Sequence, residues 1–391
     1  MNIYPDVIKI EKEIIETRRD IHKHPELGFQ EHRTGKLVAD RLISYGIDVQ
    51  TGVGKTGVVG ILRGRESGPT IALRADMDAL PMQETGNPSY KSVNDGVMHA
   101  CGHDGHVAML LGAARLLAEK KDIIRGTVKF IFQPSEEGDG GARYMIADGC
   151  LEGVDEIYGM HLWNDMYCGE LGGQPGPIMA AADGFKIDIH GVGGHGAAPQ
   201  GTVDAVLVGA QLVNALQTIV SRNTDPLEST VVTVGKFEAG SNFNIISAEA
   251  HLEGTARSYT EENRAMIKQR MQEIIQGIET ASGAKIDFEY IDGYPPTINH
   301  KSVFEKMVQS AVKITGKHSL SGCKSMGGED FSFYLQKVPG SFLFVGSLPE
   351  DSERMSIPHH CSHFNIDERA LLVGTSIFIQ LVEDQLTGET L

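Results

Sequence analysis

The chain has 391 residues, 41% hydrophobic and 22% charged, with a formal net charge of −17 at pH 7. That acidity excludes the basic patches by which proteins hold nucleic acid or anionic membrane surfaces, and no run of about 18 apolar residues offers a transmembrane helix. The length exceeds what one hydrophobic core usually supports, so two domains are expected. The five cysteines, odd in number and scattered, fit a reducing compartment, the cytoplasm, rather than a disulfide framework.

The N-terminal segment MNIYPDVIKIEKEIIETRRDIHKHPE lacks the apolar core and cleavage site of a secretory signal and reads as a charged surface helix. From Val58 to about Leu162 apolar runs alternate with helical patterns. GVVGIL and TIALRAD read as strands. A helix follows His106, with Leu110, Leu111, Ala114, Leu117 and Ala118 at amphipathic spacing and Asp104 as its expected N-cap. TVKFIF is a strand, GARYMIADGCL a short helix, and EIYGMHLW a strand that ends near His161. Strands alternating with helices imply an α/β layer, a mostly parallel sheet flanked by helices, in which ligands gather at the carboxyl ends of the strands.

From Phe185 the pattern changes. FKIDIHG, DAVLVGAQLVNALQTIVSR, STVVTVGKFEAG, FNIISAEAHLEGTARS, TEENRAMIKQRMQEIIQGIETASG and KIDFEYIDG spell β-α-β-β-α-β, a split ferredoxin-like arrangement that can close on itself. After YPPTINH the α/β character returns with helix SVFEKMVQSAVKITG, strand SFLFVG and a last helix through ERALLVGTSIFIQLVEDQL. The expected organisation is a catalytic domain of residues 1–183 and 295–391 with a smaller domain inserted at 184–294.

Chemistry-bearing residues collect at strand ends. MHACGHDGH places a thiol, Cys101, and an imidazole, His103, in the loop before the helix, where residues two apart face one way and make a metal half-site. FIFQPSEEGDGG sets Glu136 beside Glu137, so one carboxylate can hold an ion while the other stays free as a base. IYGMHLW offers His161, and IPHHCSHFNIDE offers His359, His360 and His363. RADMDALP ends a strand with Asp76 and Asp78 on one side, as ligands or as partners that orient a ligand. Each feature alone has an ordinary structural explanation, such as a buried small thiol, a solvated acidic turn or a hydrogen-bonded histidine. Their convergence on the loops of one α/β unit favours a metal site.

These segments, taken in order as RRDIHKHPELGFQEHRT, ALRADMDALP, HACGHDGHVAMLLGAA, FQPSEEGDGGA, GGEDFSFYL and HHCSHFNIDE, resemble the aminoacylase, hippurate hydrolase and auxin-conjugate hydrolase group of dinuclear metallo-amidohydrolases nearly end to end. That group is related to the metallocarboxypeptidases. The resemblance implies a zinc-exopeptidase-like catalytic domain and makes the insert a dimerisation domain, hence a homodimer. It implies two divalent metal ions per subunit, zinc or else manganese or cobalt, on Cys101, His103, Glu137, His161 and His360, usually ~3.5–4 Å apart. Glu136 becomes the general base and later acid. His195, in GVGGHGAAP, stabilises the developing oxyanion, reaching the partner subunit's site, and Asn244 and Arg257 bind the substrate carboxylate.

The chain departs from the group's usual pattern at Pro199-Gln200, at Asn244-Ile245-Ile246-Ser247 and at Cys361-Ser362, which bears on loop shape and substrate fit but not on the ligand set. The implied activity is hydrolysis of N-acyl-L-amino acids. Its rivals are a dipeptidase or carboxypeptidase using the same site and, from another class, a catalytically idle binder of acyl-amino acid conjugates.

Overall fold

Four runs rich in branched and aromatic residues form the parallel centre of an eight-stranded sheet, in the order Arg125–Gln133, Glu66–Asp76, Glu156–Tyr167 and Gly340–Leu348. Every residue of Gly340–Leu348 is buried, as a strand covered on both faces requires. Gly57–Arg63 and then Asp48–Val53 extend the sheet antiparallel beyond Arg125–Gln133. The two-residue strands Leu171–Gly172 and Leu320–Ser321 extend it beyond Gly340–Leu348. The structure is a computed structural model that describes residues 1–387. The chain divides into two units: Met1–Gly176, Ile298–Cys323 and the described chain from Asp330 onward, and Pro177–Thr297 with Lys324–Glu329.

In the first unit the helix His103–Glu119 is not amphipathic in its setting, because every residue from His103 to Ala114 is buried. Helices Glu11–Lys23 and Arg369–Leu386 pack against it, and Arg369–Leu386 also reaches the sheet. A helix apolar nearly all round belongs inside. Gly112 allows the close approach of Glu11–Lys23, since a Cβ there would meet Ile14 Cδ1 at 3.0 Å.

The N-terminal helices differ likewise from the surface helix expected. Val7, Ile14 and Ile21 enter the main core, and Arg18 and His22 are buried with them. Arg18 Nε donates to Asp104 Oδ2 at 2.7 Å, and His22 Nδ1 lies 2.8 Å from the same oxygen. Asp104 is therefore not the N-cap. That position falls to Gly102, at φ +96°, while the Asp104 carboxylate turns away to serve a long-range ion pair.

The second unit is the β-α-β-β-α-β array. Its strands Ala181–His190, Thr230–Ala239, Glu249–Ser258 and Lys285–Tyr294 pair antiparallel in the order Thr230–Ala239, Glu249–Ser258, Ala181–His190, Lys285–Tyr294. Asp204 caps helix Ala205–Thr218 by accepting from Val206 and Leu207, and Thr260 caps Glu261–Ser282 by accepting from Asn263. Ile187, Ile189, Leu212, Leu252 and Met271 are its wholly buried centre. Asp183, 3% exposed, accepts two hydrogen bonds from Arg264, at 2.7 and 2.8 Å, and others from Tyr290 and the Gly293 amide.

Removing one partner of such a buried pair strands the other charge. Asp183→Ala is expected to destabilise the second unit by about 3–5 kcal/mol. The single tryptophan, Trp163, lies in the first unit. Circular dichroism should therefore show an early denaturant transition that tryptophan fluorescence does not share.

Candidate metal centre

Gly102 makes the centre possible. Its left-handed φ ends the loop at Cys101 and starts the helix at His103, so the thiol and the imidazole converge although His103 is helical rather than in the loop. The Cys101, His103 and His161 ligand atoms all lie within 4.8 Å of one another, and so do those of Cys101, Glu137 and His360. The two groups share Cys101. All five side chains named from the sequence as metal ligands are thus brought together, and all belong to the first unit. His161 lies mid-strand rather than at a strand end, because Glu156–Tyr167 runs on along Gly340–Leu348. Pairing with Glu66–Asp76 does stop at Gly159, which opens the site on that side.

Hydrogen bonds fix which nitrogen each imidazole presents. The His103 Nδ1 proton goes to the Asp78 carbonyl at 3.0 Å, and the His161 Nδ1 proton goes to the Leu162 carbonyl at 2.7 Å. Carbonyl oxygens only accept, so each ring carries a proton on Nδ1 and turns Nε2 toward the cluster, the arrangement of a metal-binding histidine. His161 Nε2 stands 3.4 Å from Cys101 Sγ. His103 Nε2 is buried without a hydrogen-bond partner, its nearest carboxylate oxygens being Asp76 Oδ2 at 3.6 Å and Glu137 Oε1 at 4.0 Å. An orphaned imidazole nitrogen amid a thiol and carboxylates fits a divalent ion, and the mixed donor set suits zinc, with manganese or cobalt as substitutes.

The paired glutamates are set by one residue. Asp78 accepts the Glu136 amide on Oδ1 at 2.9 Å and the Glu137 amide on Oδ2 at 3.0 Å, so it orients both the turn and His103. Ser135, just before them, sits at φ +52°. Glu136 is 6% exposed and accepts the Asp330 amide on Oε1 at 3.3 Å. His360 reaches Glu137 Oε1 at 2.9 Å, whereas His359 Nε2 accepts the Asn164 amide at 3.2 Å, so His360 is the member of the pair free to join the cluster. Asp76 is satisfied on both oxygens, by His106 Nδ1 at 2.6 Å and by Arg74 at 2.7 Å.

Burial and then Glu137 and Glu136 push the Cys101 thiol well above its ordinary pKa. Burial would lower His103, but Asp76 and Asp78 outweigh it and push it up to about 10. Burial, with His106 and His359 nearby, holds His161 well below the usual histidine value and keeps it neutral.

The remaining residues named from the sequence lie in the second unit. His195 and Asn244 share a two-stranded ribbon, Gly194–His195 against Ile245–Ile246, tied by the Gly196 amide to the Asn244 carbonyl at 2.9 Å. They line an open hollow of about 660 Å³ with Ser241 and Ser247. Arg257 is half-buried on Glu249–Ser258 and has no ion pair among the described residues. The structure adds residues that sequence reading had missed: Arg74, Asp330, Gln133 and His106. Arg74 donates to Gln133 and Asp330, both at 2.9 Å, and Gln133 donates to Asp330 at 2.8 Å. Only the GGED and GHDGH strings hinted at them.

Residues 72–384 match the family described as peptidase family M20/M25/M40. Thermostable carboxypeptidase 2 of Saccharolobus solfataricus is 43% identical over 373 residues, covering 94% of this chain and 94% of that protein. N-acetylcysteine deacetylase of Bacillus subtilis is 40% identical over 369 residues, covering 94% of this chain and 95% of its own. A dinuclear metal-binding peptidase of family M20 from Bacillus subtilis, known from its crystal structure, is similar with a TM-score of 0.84 at 35% identity, over 96% of this chain and 98% of that one.

A divalent ion taken up here must displace the protons held by His103 and Cys101. Apparent metal affinity is expected to rise steeply with pH between 6 and 9, with release of roughly two protons. Titration calorimetry in buffers of different ionisation enthalpy measures that number. Zero proton release would remove both residues from the ligand set.

Proposed function

The chain belongs to peptidase family M20/M25/M40, and on that footing we propose that it is a metal-dependent amidohydrolase that cleaves N-acyl-L-amino acids to a carboxylate and a free amino acid. The observation that carries this reading is a spare carboxylate. Cys101, His103, Glu137, His161 and His360 already make a five-donor set, yet Glu136 groups with His103 and Glu137 within 4.8 Å. A closed structural site has no use for such a base. When bound on the five donors, two divalent ions supply Lewis acidity that polarises the scissile carbonyl and acidifies the attacking water. Glu136 removes the water's proton and later returns it to the leaving nitrogen. The Asp330 amide on Oε1 and the Asp78 carboxylate on its own amide hold it in place.

The N-acetylcysteine deacetylase among the relatives supports an acyl-amino acid substrate, and the carboxypeptidase keeps a peptide-cleaving reading alive for the same centre. Arg257, an unpaired half-buried guanidinium, suits the carboxylate that both substrate classes carry. His195 serves as the oxyanion donor and Asn244 as a second substrate contact.

The insert, residues 184–294, is read as the dimerisation domain of a homodimer. Its ribbon joins the sheet beside His190 and Glu249, whereas Arg257 pairs with Ala182 at the other end of the same strands. Eight residues at ~3.3 Å each separate the two ends by about 26 Å, too far for one substrate to touch Arg257 and the ribbon of one copy. A second copy supplies the missing half. Thr230–Ala239 is the outermost strand of its sheet and exposes Phe237, and Val206 and Leu207 are exposed on the helix behind it, an edge suited to pairing. Five unpaired cysteines support the cytoplasm as the compartment; no helix among the described residues is long and apolar enough to cross a membrane.

The decisive assay is amine release from N-acetyl, N-benzoyl and indole-acetyl amino acids beside simple dipeptides, after chelation and reloading with zinc, manganese or cobalt. Metal-dependent turnover of an acyl class is expected, and preference for dipeptides would move the enzyme to the peptidases. Glu136→Gln should keep its metals and lose at least ~10²-fold in kcat. Mixing Glu136→Gln with His195→Ala protein should restore about a quarter of wild-type activity, since half of randomly formed dimers are mixed and each regains one site. No recovery on subunit exchange would show that His195 acts within its own subunit.

A further inference from the structure

Beside His103, the Met98–His106 stretch carries two more histidines outside the five-donor set, His99 and His106, of which His106 lies within 4.8 Å of Asp76 and His103. His106 is buried, and its bonds define its state. The Leu162 amide can only donate, so His106 Nε2, 2.9 Å away, carries the lone pair. The ring proton is then on Nδ1 and goes to Asp76 Oδ1 at 2.6 Å. Asp76 Oδ2 in turn accepts from Arg74 at 2.7 Å. Neither nitrogen of His106 is free to bind an ion.

What His106 holds is the backbone next to His161. The ladder between Glu156–Tyr167 and Glu66–Asp76 ends at Gly159, so beyond it the strand has no neighbour on that side to receive an amide. His106 receives the Leu162 amide there. The carbonyl of the same Leu162 accepts the His161 Nδ1 proton at 2.7 Å and leaves His161 Nε2 facing Cys101 Sγ at 3.4 Å. Gly105, one residue before His106, makes the fit possible, because a Cβ there would meet Leu162 Cδ1 at 2.5 Å.

We propose that His106 is a positioning residue: the buried chain Arg74–Asp76–His106 clamps Leu162 so that its carbonyl holds His161 in the tautomer whose Nε2 is presented to the metal centre. The inference rests on the reading of His161 as a metal ligand only for its consequence, and the tautomer itself can be measured without metal.

The test is nitrogen-15 NMR of the histidine rings in the metal-free full-length protein at neutral pH. Wild-type His161 should show a protonated Nδ1 and a bare Nε2. His106→Phe fills the space without accepting the Leu162 amide and should turn His161 into a mixture of tautomers. His106→Gln, whose amide can accept from Leu162 and donate to Asp76, should restore the single form. Asp76→Asn offers an isosteric variant should the phenylalanine fail to fold. Arg74 draws the amide oxygen, the amide NH₂ then faces His106 Nδ1, and the ring proton moves to Nε2 against the Leu162 amide, a tautomer reversal of the kind known to disable an Asp–His pair. Affinity for zinc should fall about 10–100-fold in His106→Phe and Asp76→Asn and recover in His106→Gln. Retention of the wild-type His161 tautomer in folded His106→Phe or Asp76→Asn would overturn the proposal. A changed tautomer with unchanged zinc affinity would uphold the clamp and remove His161 from the ligand set instead.

Discussion

Arg74 is the interaction on which the centre turns. Its guanidinium, 1% exposed, joins Asp76 on the side of His103 to Asp330 on the side of Glu136. Two carboxylates and a guanidinium taken out of water cost more than their attraction returns unless every remaining donor and acceptor is met. Here the remainder is met by Gln133, by the Ala142 amide on Asp330 at 3.0 Å and by His106 on Asp76. Such a triad adds little to stability but admits few alternative arrangements, which is what a site with fixed geometry needs. Burial alone would raise Asp76; Arg74 and the histidines His103 and His106 hold it well below the usual carboxylate range, so it stays an acceptor.

Around that triad the backbone is held in conformations that it would not choose. Ser135 at φ +52° and His360 at φ +61° are non-glycine residues in the left-handed region, each next to or within the cluster. Such residues cost of order 1 kcal/mol or more and persist only where neighbours over-determine them. The Ser135 amide is pinned to the buried Glu31 carboxylate at 2.9 Å and the His360 amide to the Ala100 carbonyl at 2.8 Å. Ser135 leads into Glu136 and Glu137, and Glu137 in turn groups with His360 and with Glu136.

The strands, the two long helices of the insert and the loops that carry the donors were legible in the sequence because each depends on local pattern, whereas the choice of Glu137 and His360 among their neighbours came from the family resemblance. Alternation marks Ala181–His190, helical spacing marks Glu261–Ser282, and a cysteine close to histidines is conspicuous. What was not legible depends on partners remote in the chain. Asp104 has every local mark of a cap, but Arg18, 86 residues away, takes its carboxylate. Arg74 and Asp330 are 256 residues apart, and nothing near either announces the other. His106 stood in the sequence only as the residue before a helix; its bond to the Leu162 amide follows from where the ladder ends, at Gly159.

The same carboxylates serve the centre in two states. Without metal, Asp76 and Asp78 hold a proton on His103 up to a pKa of about 10, so the buried ring is an imidazolium among anions rather than an isolated charge. A divalent ion in place of the Nε2 proton would exchange one cation for another, on a ring whose Nδ1 the Asp78 carbonyl already fixes. The cluster can therefore be assembled before metal arrives, because the positive charge that it needs is already present. Preorganisation of this sort puts the cost of burying Asp76, Asp78 and Glu137 into folding rather than into metal uptake. A thiol is tolerated at the centre of so many negative charges because burial and those charges keep Cys101 protonated and neutral.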